Sequence, residues 1–232
     1  MKIIPKVNFG LIVIVVLVSS MLLSCMVHPQ MTDIPLINKK KDLRVDAGIS
    51  APPAAFATIS YGLTDKIAIQ AFGSIGSDNR YYFQAAGGIY QKRQNHFLME
   101  VYSGFGYGQG EAFILGMDER LRGNYQIYFG QINYGKVATE RSNIEYGFGL
   151  KAGYLHSNLI DYNFWEKNET DLFQEYNDEN IVLEPSSFVR FGGNRLKITL
   201  KCSANYIYKF THKDKHLPYN MFSLGLGINY RL

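Results

Sequence analysis

Residues 196–210, LKITLKCSANYIYKF, decide the fold. The apolar and aromatic side chains occupy one set of alternate positions and the polar side chains the other, with Ile207 as the single exception. Successive side chains of a β-strand point to opposite faces, so this period of two predicts a strand with one apolar and one polar face. Fifteen residues is long for a strand of a soluble protein, whereas about nine to eleven suffice to cross a bilayer.

The same alternation recurs along the chain and predicts ten strands, at 43–50, 55–63, 67–75, 81–91, 97–108, 125–136, 144–154, 181–191, 196–210 and 222–232. Connections after the second, fourth, sixth and eighth strands are short, and those at 110–123, 161–180 and 211–220 are long. Short turns at one end and long loops at the other are typical of outer-membrane barrels. We therefore predict an all-β, up-and-down antiparallel transmembrane barrel over residues 43–232, with about ten strands and eight as the alternative.

In several of these strands the glycines occupy the same alternate positions as the polar side chains, and therefore the same face of the sheet. Glycines of the fifth, seventh and tenth strands share it with Glu100, Glu145 and Lys151. The alternative fold is a soluble barrel, in which the polar face would be the outer surface. Long charged side chains need small residues between them in a narrow lumen, whereas they do not need them on a solvated outer surface. The charges predicted to point inward are Arg44, Asp46, Glu100, Glu145, Lys151, Glu184, Arg190, Lys197 and Lys201. Opposite signs predict a paired, filled interior, with a narrow pore as the alternative.

The amino terminus has the organisation of a bacterial export signal. Lys2 and Lys6 precede an apolar run at 11–18, and Leu22-Leu23-Ser24-Cys25 resembles a lipobox, in which the cysteine becomes lipidated and then serves as the first residue of the mature chain. We expect a lipoprotein signal peptide at 1–24, lipidation of Cys25 and a flexible, proline-containing tether at 25–42. The protein would then be a lipoprotein of the outer membrane. A lipid in the inner leaflet suits the start of the first strand, and the sequence leaves open whether the anchor faces the periplasm or the cell surface.

Composition fits a β-rich chain with aromatic girdles and disfavours nucleic-acid binding. Tyrosine, phenylalanine and glycine are abundant, with 17, 15 and 22 residues, as in β-rich chains with aromatic girdles. Without Lys2 and Lys6 the chain has 22 basic and 20 acidic residues, a net charge of +2, and no clustered basic face that would bind nucleic acid. If Cys25 carries lipid, Cys202 has no disulfide partner.

Three short motifs are similar to those of known outer-membrane barrels. They are Tyr61-Gly62-Leu63-Thr64-Asp65-Lys66, Gly104-Phe105-Gly106-Tyr107-Gly108, and Glu184-Pro185 followed by Arg190-Phe191-Gly192-Gly193. With these motifs the chain resembles the small outer-membrane barrels of the OmpA and OmpX type and, more narrowly, uncharacterised barrel lipoproteins of the Bacteroidota. The resemblance implies the fold and an outer-membrane location, and no enzymatic activity.

No motif predicts a catalytic, cofactor or metal site. Walker, HExxH, CxxC and nucleophile-elbow patterns are missing from the sequence, and Lys213 and Lys215 between His212 and His216 disfavour a metal site. The alternative is a hydrolase acting on lipid A, because His156-Ser157-Asn158 resembles the catalytic cluster of lipid A deacylase barrels. Adjacent residues of a regular strand point apart, however, and the carboxylate of such a triad would have to be Glu166 or Glu169. We therefore predict that the protein is not an enzyme.

The predicted loop at 161–180 is the candidate interaction site. It combines seven acidic residues and one lysine with Tyr162, Phe164, Trp165, Phe173 and Tyr176. Exposed aromatic side chains favour binding of a partner. We expect contact with outer-membrane lipid and, through this loop, with lipopolysaccharide bridged by calcium or with a surface protein.

Overall fold

The computed structural model describes Val27, Gln30 and residues 34–77, 79–114, 119–139, 143–163, 173–210 and 219–232. Most of these residues belong to one antiparallel sheet. Its strands are β1 (Leu43–Ala51), β2 (Ala54–Gly62), β3 (Ile67–Gly76), β4 (Tyr81–Lys92), β5 (Phe97–Ile114), β6 (Glu119–Lys136), β7 (Glu145–Asn163), β8 (Phe173–Gly192), β9 (Leu196–Ala204), β10 (Tyr206–Lys209) and β11 (Phe222–Arg231). No helix in these ranges is long and apolar enough to cross a membrane.

The sheet closes into a ten-stranded barrel, in which β9 and β10 together count as one strand. Consecutive strands from β1 to β9 pair with each other, β8 also pairs with β10, and β9 pairs with β11. The first and last strands close the sheet, since β1 pairs with β11 from Arg44 opposite Arg231 onward. Strands β9 and β10 are two parts of one barrel strand, because both pair with β8 in the same register. Ser203 lies opposite Ser186, and Tyr206 lies opposite Leu183. The interruption lies beside Pro185, which has no N–H to donate. The prediction of a closed ten-stranded antiparallel barrel is confirmed.

The two ends of the barrel differ. The turn end carries the connections 63–66, 93–96, 137–144 and 193–195 together with the start of β1 and the end of β11. The loop end carries the connections 52–53, 77–80, 115–118, 164–172 and 210–221. Strands β5 to β8 have 18 to 20 residues, whereas β1 to β4 have 9 to 12. One side of the wall therefore extends beyond the other at the loop end.

The barrel has apolar side chains outside and charges inside. Phe148, Leu200 and Leu226 on the outer surface are 50 to 60% exposed, whereas Glu145 and Lys197 are at most 4% exposed. A soluble barrel would show the reverse arrangement. The predicted faces are therefore confirmed. Cys202 also lies on the outer surface and is a free thiol.

Two predicted loops are largely strand. Residues 110–114 and 119–123 continue β5 and β6, and most of the predicted interaction loop at 161–180 belongs to β7 and β8. On the inner face of this extension Leu121, Leu155 and Leu159 are buried in an apolar cluster, whereas Arg122 on the outer face is 52% exposed. The apolar parity therefore points inward in this extension, the reverse of the apolar belt, so the outward apolar alternation that predicted the strands does not continue there.

Candidate functional site in the barrel lumen

The barrel lumen gathers the charged residues that the sequence pattern placed inside. All nine are buried: Arg44, Asp46, Glu100, Glu145, Lys151, Glu184, Arg190, Lys197 and Lys201. They come from β1, β5, β7, β8 and β9, so the barrel closure brings together side chains that lie far apart in the chain. A buried charge is tolerated when it is paired and hydrogen-bonded.

An arginine cluster lies near the turn end. Glu145 Oε2 accepts hydrogen bonds from Arg44 Nη1 at 2.9 Å and from Arg190 Nη1 at 3.4 Å. Glu145 and Arg190 are direct neighbours across β7 and β8, whereas Arg44 reaches them from β1 across the lumen. The Arg190 guanidinium also lies 4.0 Å from the centre of the Phe188 ring. This cluster joins opposite walls of the barrel.

A second ionic group joins β1 to β9 and β11. The Lys201 ammonium pairs with the Asp46 carboxylate, which also accepts hydrogen bonds from Thr199 Oγ1 at 3.2 Å and Asn229 Nδ2 at 3.4 Å. Asp46 is fully buried. These contacts cover the seam at which the first and last strands close the barrel.

A third group lies farther toward the loop end. Lys151 Nζ is 3.4 Å from Glu184 Oε1 and 3.4 Å from Gln84 Oε1. Gln84 Oε1 also accepts a hydrogen bond from Tyr82 Oη at 3.0 Å. The Lys151 ammonium lies 5.3 Å from the centre of the Phe129 ring. Polar and aromatic side chains thus fill the middle of the lumen.

The structure differs from the expected flexible tether at 25–42. The described residues Val27, Gln30 and 34–37 are buried inside the barrel, and we call these residues, together with Asn38, the luminal segment. Ile37 N–H donates to Glu100 Oε1 at 2.7 Å, and the Ile34 carbonyl accepts from Arg190 Nη2 at 2.7 Å. Gln30 N–H donates to Glu184 Oε1 at 3.1 Å. Buried strand charges therefore bind the backbone of this segment.

Asp42 and Arg231 form an ion pair at the turn end, where the luminal segment leaves the barrel. Arg231 Nε and Nη2 each donate to Asp42 at 2.8 Å, and Nη2 also donates to Asn38 Oδ1 at 2.6 Å. Such a fork is the geometry in which an arginine binds a carboxylate most strongly. Sequence reasoning missed this site because residues 27–38 have no strand period. The apolar run Ile34-Pro35-Leu36-Ile37, which is unusual for a solvated tether, was the available signal.

Among the described residues of the candidate catalytic cluster, His156 and Ser157 do not come together. Ser157 is buried on the inner face of β7, whereas His156 is half-buried on the outer face, so their side chains point apart as their adjacency predicts. In the described ranges no three His, Cys, Asp or Glu side chains are grouped to hold a metal ion. The signal at 1–24, Cys25, Glu166, Glu169, His212 and His216 lie outside the described residues.

The predicted interaction loop is partly described. Glu175 and Glu179 are exposed and lie on β8, while Asp178 between them is fully buried. Residues 164–172, which include Phe164 and Trp165, lie outside the described residues. The acidic outer surface at 175–179 therefore belongs to a strand, and the loop itself is shorter than the sequence predicted.

No protein-family model and no curated protein sequence matches the chain. Among solved structures, the outer membrane protease OmpT from Escherichia coli is similar over 82% of this chain and 93% of its own, with a TM-score of 0.59 and 9% identity. The N-terminal β-barrel domain of Pseudomonas aeruginosa OprF aligns over 83% and 98%, with a TM-score of 0.37 and 11% identity. The KdgM porin aligns over 82% and 98%, with a TM-score of 0.39 and 9% identity. The likeness to OmpT shows a shared fold.

Proposed function

We propose that this protein is an outer-membrane barrel lipoprotein with a structural or surface-interaction role and a filled, non-conducting lumen. The observation that carries the proposal is the inverted polarity of the wall. Phe148 and Leu200 are at least half exposed while Arg44 and Glu145 are 1% exposed. In water such a belt would be an extensive exposed apolar patch, which soluble monomers rarely carry. In a bilayer it faces hydrocarbon.

Barrel closure supports the membrane location. Every backbone group of a membrane-spanning segment needs a partner inside the protein, and a closed barrel leaves no unpaired strand edge. The OmpT-like fold and the export signal expected at 1–24 favour the outer membrane. In such barrels the short turns face the periplasm and the long loops face outside, so the loop end would lie at the cell surface.

The filled lumen supports a role other than transport. Buried ion pairs and the luminal segment occupy the interior that a pore would need. We expect no conductance steps when the purified protein is inserted into planar bilayers. Stepwise currents that persist after repurification would instead support the narrow-pore alternative.

Membrane integration and lipidation are tested separately. We expect the protein to fractionate with outer membranes and to migrate faster on a gel before heating than after it, as folded barrels do. Metabolic labelling with a fatty acid should be abolished by Cys25→Ala and retained in Cys202→Ser, the matched control. Labelling that persists in Cys25→Ala would refute lipidation at this residue, and loss of the protein from membranes in every variant would refute the barrel proposal.

The surface-interaction role rests on residues 161–180. The exposed Glu175 and Glu179 continue the acidic character of this region on the outer face of β8, where carboxylates could bind lipopolysaccharide through calcium or a basic protein surface. Replacing residues 164–172 with a short Gly-Ser turn should release components that co-purify with the wild type in calcium. The matched control replaces 115–118 at the same end of the barrel. An unchanged set of co-purifying components would refute the role of this loop.

A further inference from the structure

We propose that the luminal segment carries the mature amino terminus through the barrel, so that the chain before Val27, with the lipid on Cys25, emerges at the loop end. The inference rests on the proposed outer-membrane orientation and lipidation. It places the lipid at the cell surface, one of the two positions that the sequence left open.

The contacts of the luminal segment follow the barrel axis in order. Val27 bridges to Tyr219 in the connection 210–221, and its carbonyl accepts a hydrogen bond from Asn220 N–H at 2.8 Å. This connection lies at the loop end. Gln30 Oε1 accepts a hydrogen bond from Ser74 Oγ at 3.3 Å, near the loop end of β3. The amino-terminal part of the segment is therefore at the loop end.

The later residues of the luminal segment lie progressively closer to the turn end. Ile34 contacts Arg190, two residues before β8 ends, and Ile37 contacts Glu100, the fourth residue of β5. Asn38 then bonds the rim residue Asp42 at 3.1 Å. Ten residue steps separate Val27 from Ile37, and a chain of this length can span at most about 33–36 Å. This reach exceeds the apolar band of about 25 Å in outer-membrane barrels.

Three wall glycines provide room for this path. A Cβ atom on Gly62, Gly135 or Gly149 would lie 2.9 to 3.1 Å from side-chain atoms of Ile37, Leu36 and Ile34, respectively. Contacts this short would force the segment or the wall to shift. Because residues 34–37 are buried and hydrogen-bonded to strand charges, we infer that the segment is an integral part of the barrel.

The geometry decides which side the lipid faces. Cys25 is two residues before Val27, and two residues of extended chain reach about 7 Å. Cys25 therefore cannot return to the turn end, which would require a second passage through the filled lumen. An acyl chain at this position would insert into the leaflet next to the loop end.

The test is labelling of reporter cysteines with a membrane-impermeant maleimide, in intact and in lysed cells. All variants carry Cys202→Ser and keep Cys25. The reporter is a cysteine flanked by Gly and Ser, inserted between Met26 and Val27. Ser77→Cys marks the loop end and Lys66→Cys marks the turn end, since both native residues are exposed.

We expect the reporter to label in intact cells to the same extent as Ser77→Cys, while Lys66→Cys labels only after lysis. A reporter that behaves like Lys66→Cys would overturn the threading inference and leave the barrel proposal intact. If Lys66→Cys labels in intact cells while Ser77→Cys and the reporter do not, threading holds and the proposed orientation fails. If all three label only after lysis, the outer-membrane proposal fails and the surface position of the lipid falls with it.

Discussion

The most informative perturbation is Glu145→Gln, which removes the negative charge that two buried arginines share. Glu145 Oε2 is 2.9 Å from Arg44 Nη1 and 3.4 Å from Arg190 Nη1, and all three side chains are at most 1% exposed. Glutamine keeps the shape and leaves two buried guanidinium groups without their common carboxylate. Breaking a buried ion pair in this way costs about 3–5 kcal/mol, a loss of roughly 10²-fold to several thousand-fold in the folding equilibrium.

The assay is urea unfolding of the barrel in lipid vesicles, with the folded fraction measured by gel migration without heating. The control is Arg122→Ala, because Arg122 and Glu111 form a pair at 3.6 Å in which Arg122 is 52% exposed. Such exposed pairs contribute about 0–1 kcal/mol. Adding Arg44→Met to Glu145→Gln should recover part of the lost stability, because it removes one of the two charges that shared the Glu145 carboxylate. If Glu145→Gln were no more destabilising than Arg122→Ala, a filled ionic lumen would not support this barrel.

Two further predictions test the outer face and the packing of the inner face by urea unfolding in vesicles. Leu200→Arg, in the middle of the apolar belt, should cost about 2–4 kcal/mol, whereas Leu196→Arg beside a turn should cost about 0–1 kcal/mol; equal losses would contradict a bilayer around the barrel. Gly88→Ala would bring a Cβ to 2.3 Å from the Val101 carbonyl oxygen, whereas a Cβ on Gly87 meets nothing within 4 Å. We expect about 1–3 kcal/mol of destabilisation for Gly88→Ala and almost none for Gly87→Ala, and similar losses would contradict the assigned faces.

The luminal segment explains why several charged side chains lie inside the barrel. Its backbone is the partner of Glu100, Glu184 and Arg190, so charges that resemble a conduction path in the sequence are structural contacts. The likeness to OmpT at 9% identity extends to the barrel and supplies no catalytic residues. His156 and Ser157 lie on opposite sides of the wall, which removes the geometry that the lipid A hydrolase alternative needs.

The sequence by itself determined the strands that cross the apolar belt and the direction of their side chains. Leu200 and Lys197 differ in burial as their parity predicts, and Ile207, the exception to the pattern, lies inward in the apolar cluster. This information is local, because each side chain alternates with its immediate neighbours and one face is apolar.

Only the tertiary structure decided which buried charges meet and where the amino-terminal chain runs. Arg44 and Glu145 are 101 residues apart, and Ile34 and Arg190 are 156 residues apart, so barrel closure creates both contacts. The luminal segment has no period because its partners surround it on several strands. The extensions of β5 to β8 were hidden because their apolar side chains, such as Leu121, point inward while polar ones, such as Arg122, point outward, so they do not continue the apolar outer face that predicted the strands.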